Sequence, residues 1–157
     1  MNIRKKLTKF MLIFGSMFML SACVLEHNFS HSYSSFSNSI LDYDTYKNRT
    51  ISFNQLFSIN SNEYYVYVFS RTCSPCNSIK ETILQLAKDM PNLFFLEYTS
   101  KMTVSSKPMN LLVGTCDLSK IYINGTPSLF KITKHKISYA LSGKTKIPEY
   151  LMEECFK

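Results

Sequence analysis

The run Tyr64-Tyr65-Val66-Tyr67-Val68-Phe69-Ser70-Arg71-Thr72-Cys73-Ser74-Pro75-Cys76 decides how the rest of the chain is read. Its first six residues are aromatic or β-branched without a break, the composition of a buried strand. From Ile79 the apolar positions change period to Ile79, Ile83, Leu84, Leu86, Ala87 and Met90, one face of an amphipathic helix. Pro75 falls in the first turn of that helix, where its missing N–H has no intrahelical partner to lose, and Asp89-Met90-Pro91-Asn92 stops it. Strand therefore passes into helix through two cysteines, with Cys73 at the helix N-terminus.

That position has a chemical consequence. Unpaired N–H groups and the positive end of the helix dipole favour an anion, and thiols in paired-cysteine motifs at helix N-termini titrate between about 3.5 and 7.5 rather than near 8.5. Cys73 is the expected nucleophile. Cys76, one turn further in, is the expected resolving thiol, which attacks a mixed disulfide on Cys73 and closes a Cys73–Cys76 bridge. The competing reading is half of a zinc site, but the chain has no second paired-cysteine motif, and Cys116, Cys155 and His135 are scattered, so no metal is expected.

Residues 1–22 read as an address. Arg4, Lys5, Lys6 and Lys9 precede an apolar run from Phe10 to Leu20, and the small residues Ser21 and Ala22 lead to Cys23. The run is too short to span a hydrocarbon core of about 30 Å as a helix. Leu20-Ser21-Ala22-Cys23 resembles a bacterial lipobox, which implies a lipid on Cys23 and a membrane-held, extracytoplasmic protein. The other reading is ordinary cleavage nearby with Cys23 left as a thiol. The chain's +7 charge falls with the signal, since 14 basic and 11 acidic residues remain beyond residue 22, a balance of +3. With no basic helix or basic-aromatic stripe, a nucleic-acid partner is not expected. Residues 23–49 are rich in Ser, Asn, His and Tyr and read as a tether, in which His27 and His31 are solvated rather than metal-bound. Residues 50–157 are expected to form one domain.

Within that domain, Thr50–Phe57 reads as a short helix capped by Ser52, and Asn60-Ser61-Asn62 as a turn into the strand. Leu93-Phe94-Phe95-Leu96-Glu97-Tyr98 is a continuous apolar run suited to a second, parallel strand. Lys101–Asn124 is irregular, with short elements possible at Met109–Val113 and Asp117–Tyr122. After Gly125-Thr126-Pro127, Ser128–Ile132 and Lys136–Leu141 read as a hairpin turning at Lys134-His135-Lys136. Ile147, Leu151 and Cys155 then recur along a terminal helix behind Pro148, with Glu149, Glu153 and Glu154 assigned to its wet face.

This order resembles the thioredoxin fold over about Thr50 to Lys157: an α/β domain with a central mixed sheet of four to five strands flanked by helices. The resemblance implies that Pro127 is cis and beside the cysteines, and that the backbone of Thr126 receives an extended substrate segment. Two departures stand out. Thr72 replaces the family's tryptophan before the first cysteine, and Tyr67 stands where the family buries an acid, which leaves the base for Cys76 unassigned, with Glu97 as candidate. The segment ahead of Gly125 is also long.

The expected activity is thiol-disulfide exchange with exported cysteine-containing proteins or peptides, supported by a membrane redox partner and needing no dissociable cofactor. Arg71, favouring a thiolate on Cys73, and Thr126 ahead of Pro127, which resembles disulfide oxidases and isomerases, point to oxidation or isomerisation. The chain is also similar to thioredoxin-like accessory lipoproteins that accompany disulfide-containing bacteriocins. Two alternatives stay open: a reductase of the same fold serving exported cysteines, as in cytochrome maturation, and a non-catalytic binding or immunity module in which Cys73–Cys76 is a structural bridge. Cys116 and Cys155 form an even remainder, read either as a structural disulfide or as free, with Cys155 a small buried hydrophobe.

Overall fold

The computed structural model describes residues 41–157; the expected export signal, Cys23, His27, His31 and most of the expected tether lie outside the described residues. The quoted run forms β1 (Glu63–Phe69), in which every residue after Glu63 is buried. It is buried because both of its faces are covered. Tyr65, Tyr67 and Phe69 enter one apolar cluster, and Tyr64, Val66 and Val68 enter another on the opposite face. Helix α1 (Ser74–Asp89) follows and buries Cys76, Ile79, Ile83, Leu84 and Ala87, the face marked by the sequence period. Strand β2 (Leu93–Glu97) returns parallel to β1, Tyr65 standing opposite Leu93 and Phe69 opposite Glu97.

The irregular segment holds only small elements: β3 (Thr103–Val104), 3₁₀ turns at Met109–Leu112 and Leu118–Lys120, and β4 (Tyr122–Ile123), which pairs parallel with β3. Met102, Met109, Leu112, Ile121 and Ile123 supply the apolar cover for the Tyr64/Val66/Val68 face. Strands β5 (Ser128–Thr133) and β6 (Lys136–Ser142) form the expected hairpin, and α2 (Lys146–Cys155) closes the fold. The main sheet has four strands in the order β2-β1-β5-β6, with β5 antiparallel to both of its neighbours. This is the expected thioredoxin architecture. The hairpin turn uses Lys134 and His135, both at positive φ (50° and 59°), the geometry a two-residue turn needs and non-glycine residues resist. His135 is held there by a 2.9 Å hydrogen bond between its Nδ1 and the Phe57 carbonyl oxygen.

Two expectations need correction, the first and third below, and one alternative left open, the second, is decided. The ordered unit begins before Thr50: residues 43–49, placed in the tether by composition, form a short 3₁₀ segment capped by Asp42, and its Tyr43 is buried. Tyr43 stacks on Phe69 at 3.7 Å between ring centroids. Arg49 donates to the carbonyl oxygens of Ala87 and Met90, both at 2.7 Å, and so caps the C-terminus of α1. Second, Cys116 and Cys155 are both free thiols. Cys155 packs against the cluster under α1 and α2, whereas Cys116 is exposed beside the 3₁₀ turns that cover the other face, so the sheet separates them. A bridge needs Cα atoms within about 6.8 Å.

Third, Glu154 is not on the wet face. Its side chain is 6% exposed, and it accepts from Tyr65 Oη at 2.5 Å and from Lys131 Nζ at 2.7 Å, while Lys157 closes on its other oxygen. Burial alone would raise its carboxyl, but hydrogen bonds from Lys131, Lys157 and Tyr65 hold it down at about 2, against an ordinary value of 4.5. A carboxyl whose folded value is depressed stabilises the fold fully above its unfolded value and loses that contribution as pH falls through the folded one. Glu154→Gln is therefore expected to cost on the order of 2 kcal/mol at pH 7, with the difference from wild type vanishing between about pH 4.5 and 2. Urea midpoints for the two proteins at pH 7 and pH 2.5 check this, and equal gaps at both pH values would contradict it.

Candidate active site

The backbone leaves β1 at Phe69, turns over Ser70-Arg71-Thr72 with Cys73 N–H on the Ser70 carbonyl at 3.2 Å, and enters α1 with Cys73 as N-cap. The Cys73 sulfur does what a capping oxygen usually does. It accepts the backbone N–H of Cys76 at 3.2 Å, which satisfies one of the free donors of the first turn. Pro75, in that turn, has no donor to leave unsatisfied. Cys73 is partly buried, whereas Cys76 is fully buried under the helix. Burial pushes the Cys76 thiol up, and the neighbouring Cys73 sulfur adds to the shift.

The Thr126–Pro127 bond is cis, as the resemblance implied, and the Thr126 carbonyl oxygen accepts the Cys73 thiol at 3.2 Å. Two hydrogen bonds pin this loop. Ser128, buried, donates from its hydroxyl to the Gly125 carbonyl at 2.7 Å, and Gly143 N–H donates to the Pro127 carbonyl at 3.0 Å. Gly125 sits at φ 117°, a conformation that side chains resist, so glycine is required at the start of the loop. The structure thus brings Cys73, Cys76, Thr126 and Pro127 together at one end of the sheet. Cys116 and Cys155 are not part of the group, and among the described residues no three metal-ligating side chains converge.

Two electrostatic expectations are corrected. Glu97 does not approach Cys76; at the end of β2 its carboxylate meets Arg71 Nε at 3.5 Å and is 45% exposed. Arg71 in turn lies among three carboxylates, with Asp44 at 2.9 Å and Asp42 at 3.7 Å besides Glu97, so its charge is already balanced and is not held in reserve for Cys73. Asp42 also pairs with Lys80 of α1 at 3.2 Å. The segment carrying Asp42, Tyr43 and Asp44 is therefore the part of the site that composition conceals. Its only local signal is the Asp42-x-x-Thr45 pattern, in which Asp42 Oδ1 accepts the Tyr43 N–H at 2.6 Å.

The arrangement offers one sulfur to solvent at a helix N-terminus and a second, sheltered sulfur one turn behind it, facing a pinned carbonyl on a neighbouring loop. Two thiols so placed are suited to attack and resolution of a disulfide. No protein-family model matches the chain, and no curated protein does. Among solved structures, the chain is similar to thioredoxin f from spinach chloroplast at 14% identity, over 69% of this chain and 85% of that one, with a TM-score of 0.43. It is also similar to the thioredoxin of Malassezia sympodialis at 10% identity, over 68% and 89%, with a TM-score of 0.47. For the thioredoxin of Fasciola hepatica the values are 19%, 67% and 97%, with a TM-score of 0.42. The thioredoxin fold itself is read from the strand order, from the cysteine pair where β1 passes into α1, and from the proline loop facing it.

Proposed function

We propose that the protein is an extracytoplasmic thiol-disulfide oxidoreductase, held at a membrane by lipid on Cys23, that exchanges disulfides with exported cysteine-containing proteins or peptides. Cys73 makes the mixed disulfide and Cys76 resolves it. The observation that carries this reading is the partly buried Cys73 sulfur capping α1 at 3.2 Å from both the Cys76 N–H and the Thr126 carbonyl, with the second thiol sheltered behind it. The proposed direction is oxidation or isomerisation. With Arg71 neutralised by its carboxylates, that direction is supported by Thr126 ahead of Pro127 alone. Each client disulfide made leaves the site reduced by two electrons, so a membrane redox partner restores the Cys73–Cys76 bridge.

Titration of the full chain in glutathione buffers tests the reading. The expected result is one two-electron transition confined to Cys73 and Cys76, with a midpoint less negative than thioredoxin's value of about −270 mV. A midpoint at or below that value would turn the assignment to a reductase. No transition at all would leave the binding-module alternative.

A further inference from the structure

Charge is sorted along the chain. Residues 41–97 carry six acids and five bases, whereas residues 98–148 carry eight lysines and one acid, Asp117. Two of those lysines are matched: Lys131 turns inward to Glu63 and Glu154, and Lys120 lies 3.7 Å from Asp117. Among the described residues, the other six have no ion-pair partner. The same stretch includes the irregular segment that covers the Tyr64/Val66/Val68 side of the sheet, opposite α1 and α2. There Met102, Met109, Leu112, Ile121 and Ile123 are buried, and Lys101, Lys107 and Lys120 between them are exposed. The cover also leaves three aliphatic side chains in water: Leu111 is 65% exposed, Val104 58% and Val113 52%. Leu111 and Val113 flank the buried Leu112, so this 3₁₀ turn anchors itself with one leucine and turns its two neighbours outward. Hydrogen bonds from Gly114 N–H to the Ile137 carbonyl (2.7 Å) and from Ile137 N–H to the Thr115 carbonyl (2.9 Å) then bring the exposed Lys136 of β6 alongside.

We propose that this side of the domain docks on the headgroups of an anionic membrane. Each lysine near an anionic lipid surface strengthens binding by about fivefold, and the attraction needs no fixed partner geometry. Leu111 and Val113 add to it by leaving water at the headgroup boundary, where apolar side chains among lysines bind an interface. The composition favours lipid over an acidic protein. Protein interfaces are enriched in arginine and aromatic residues and depleted of lysine. Residues 98–148 have no arginine, and the strongly exposed apolar side chains of the cover are all aliphatic. The opposite side would be repelled by the same surface, because exposed Glu81 and Asp89 of α1 and Glu149 and Glu153 of α2 lie there. Docked through the cover, the domain holds α1 away from the bilayer and Cys73 at the end of the sheet, to one side of the contact. The surface requires neither a lipid on Cys23 nor the exchange reading.

The test footprints the full chain, with and without Cys23→Ala, on vesicles of phosphatidylglycerol or of phosphatidylcholine. Lysines are acetylated on the floated vesicles and read by mass, with the exposed Lys47 and Lys88 on the α1 side as references. On phosphatidylglycerol, Lys101, Lys107 and Lys120 are expected to react roughly threefold or more slowly relative to the references, in both forms of the chain. Phosphatidylcholine should give no such protection, and about 1 M salt, where charges are screened within about 3 Å, should remove it. Replacing both exposed aliphatics, Leu111→Asp with Val113→Asp, should also remove it while leaving thermal stability unchanged. Equal labelling of these lysines on the two lipids would overturn the proposal. So would protection that poly-glutamate gives and phosphatidylglycerol does not, which would assign the face to an acidic protein. Protection confined to the chain with Cys23 intact would overturn it as well, since the lipid and not the face would then hold the domain down. The exchange reading stands in each of these cases.

Discussion

Cys76→Ala is expected to turn a transient adduct into a stable one: client proteins or glutathione should accumulate as mixed disulfides on Cys73, and a second substitution, Cys73→Ala, should abolish them. The reason is concentration. With Cys76 one helical turn away, resolution is intramolecular, and well-placed intramolecular groups act at effective concentrations many orders of magnitude above any thiol in solution. Once that sulfur is gone, release waits for an external thiol at millimolar levels, so adduct lifetime should rise by roughly a thousandfold or more. The substitution should leave the fold intact. Cys76 is fully buried but small, and it is its backbone N–H, not its sulfur, that donates to the capping Cys73 sulfur. Non-reducing gels of cells making the full chain, together with the mass of the purified protein, read the result. A binding module with a fixed bridge would give no Cys73-dependent adduct in either variant.

What the sequence revealed, and what it concealed, follows from how local each signal is. The β1 run, the period of α1, Pro75 in its first turn and the Lys134–His135 hairpin are decided by neighbours within a few residues, so they can be read directly. Pro127 is legible only because Cys73 and Cys76 set its context. The misplaced residues share a different trait: their partners lie on other elements. Glu154 sits on the helix face that spacing assigns to water, yet Lys131 of β5 and Tyr65 of β1 meet it there. Glu97 ends a strand, where either orientation is open until Arg71 supplies the counter-charge. Cys116 and Cys155 look like a pair by count, but a count does not say which face of the sheet each thiol occupies.

The second large effect concerns where the domain starts. A chain cut at Thr50, the boundary that composition recommends, is expected to lose on the order of 5 kcal/mol of stability, because the removed residues hold up the core rather than lead to it. Tyr43 alone resembles a deleted core aromatic, worth about 3–5 kcal/mol, since its ring lies against Phe69 at 3.7 Å and reaches Phe95 edge-on. Arg49 caps the α1 carbonyls of Ala87 and Met90, and Tyr46 donates to the Leu84 carbonyl at 2.9 Å, so the same cut strips three acceptors near the end of the helix that carries Cys76. Asp42 and Asp44 go as well, leaving Arg71 with Glu97 alone; these pairs are exposed and add little to stability. A loss of this size approaches the whole stability of an ordinary domain. Urea unfolding of chains beginning at Cys23, Leu41 and Thr50 should therefore give similar midpoints for the first two and a collapsed or absent transition for the third. A Thr50 chain as stable as the others would mean that the 3₁₀ segment only rests on the core.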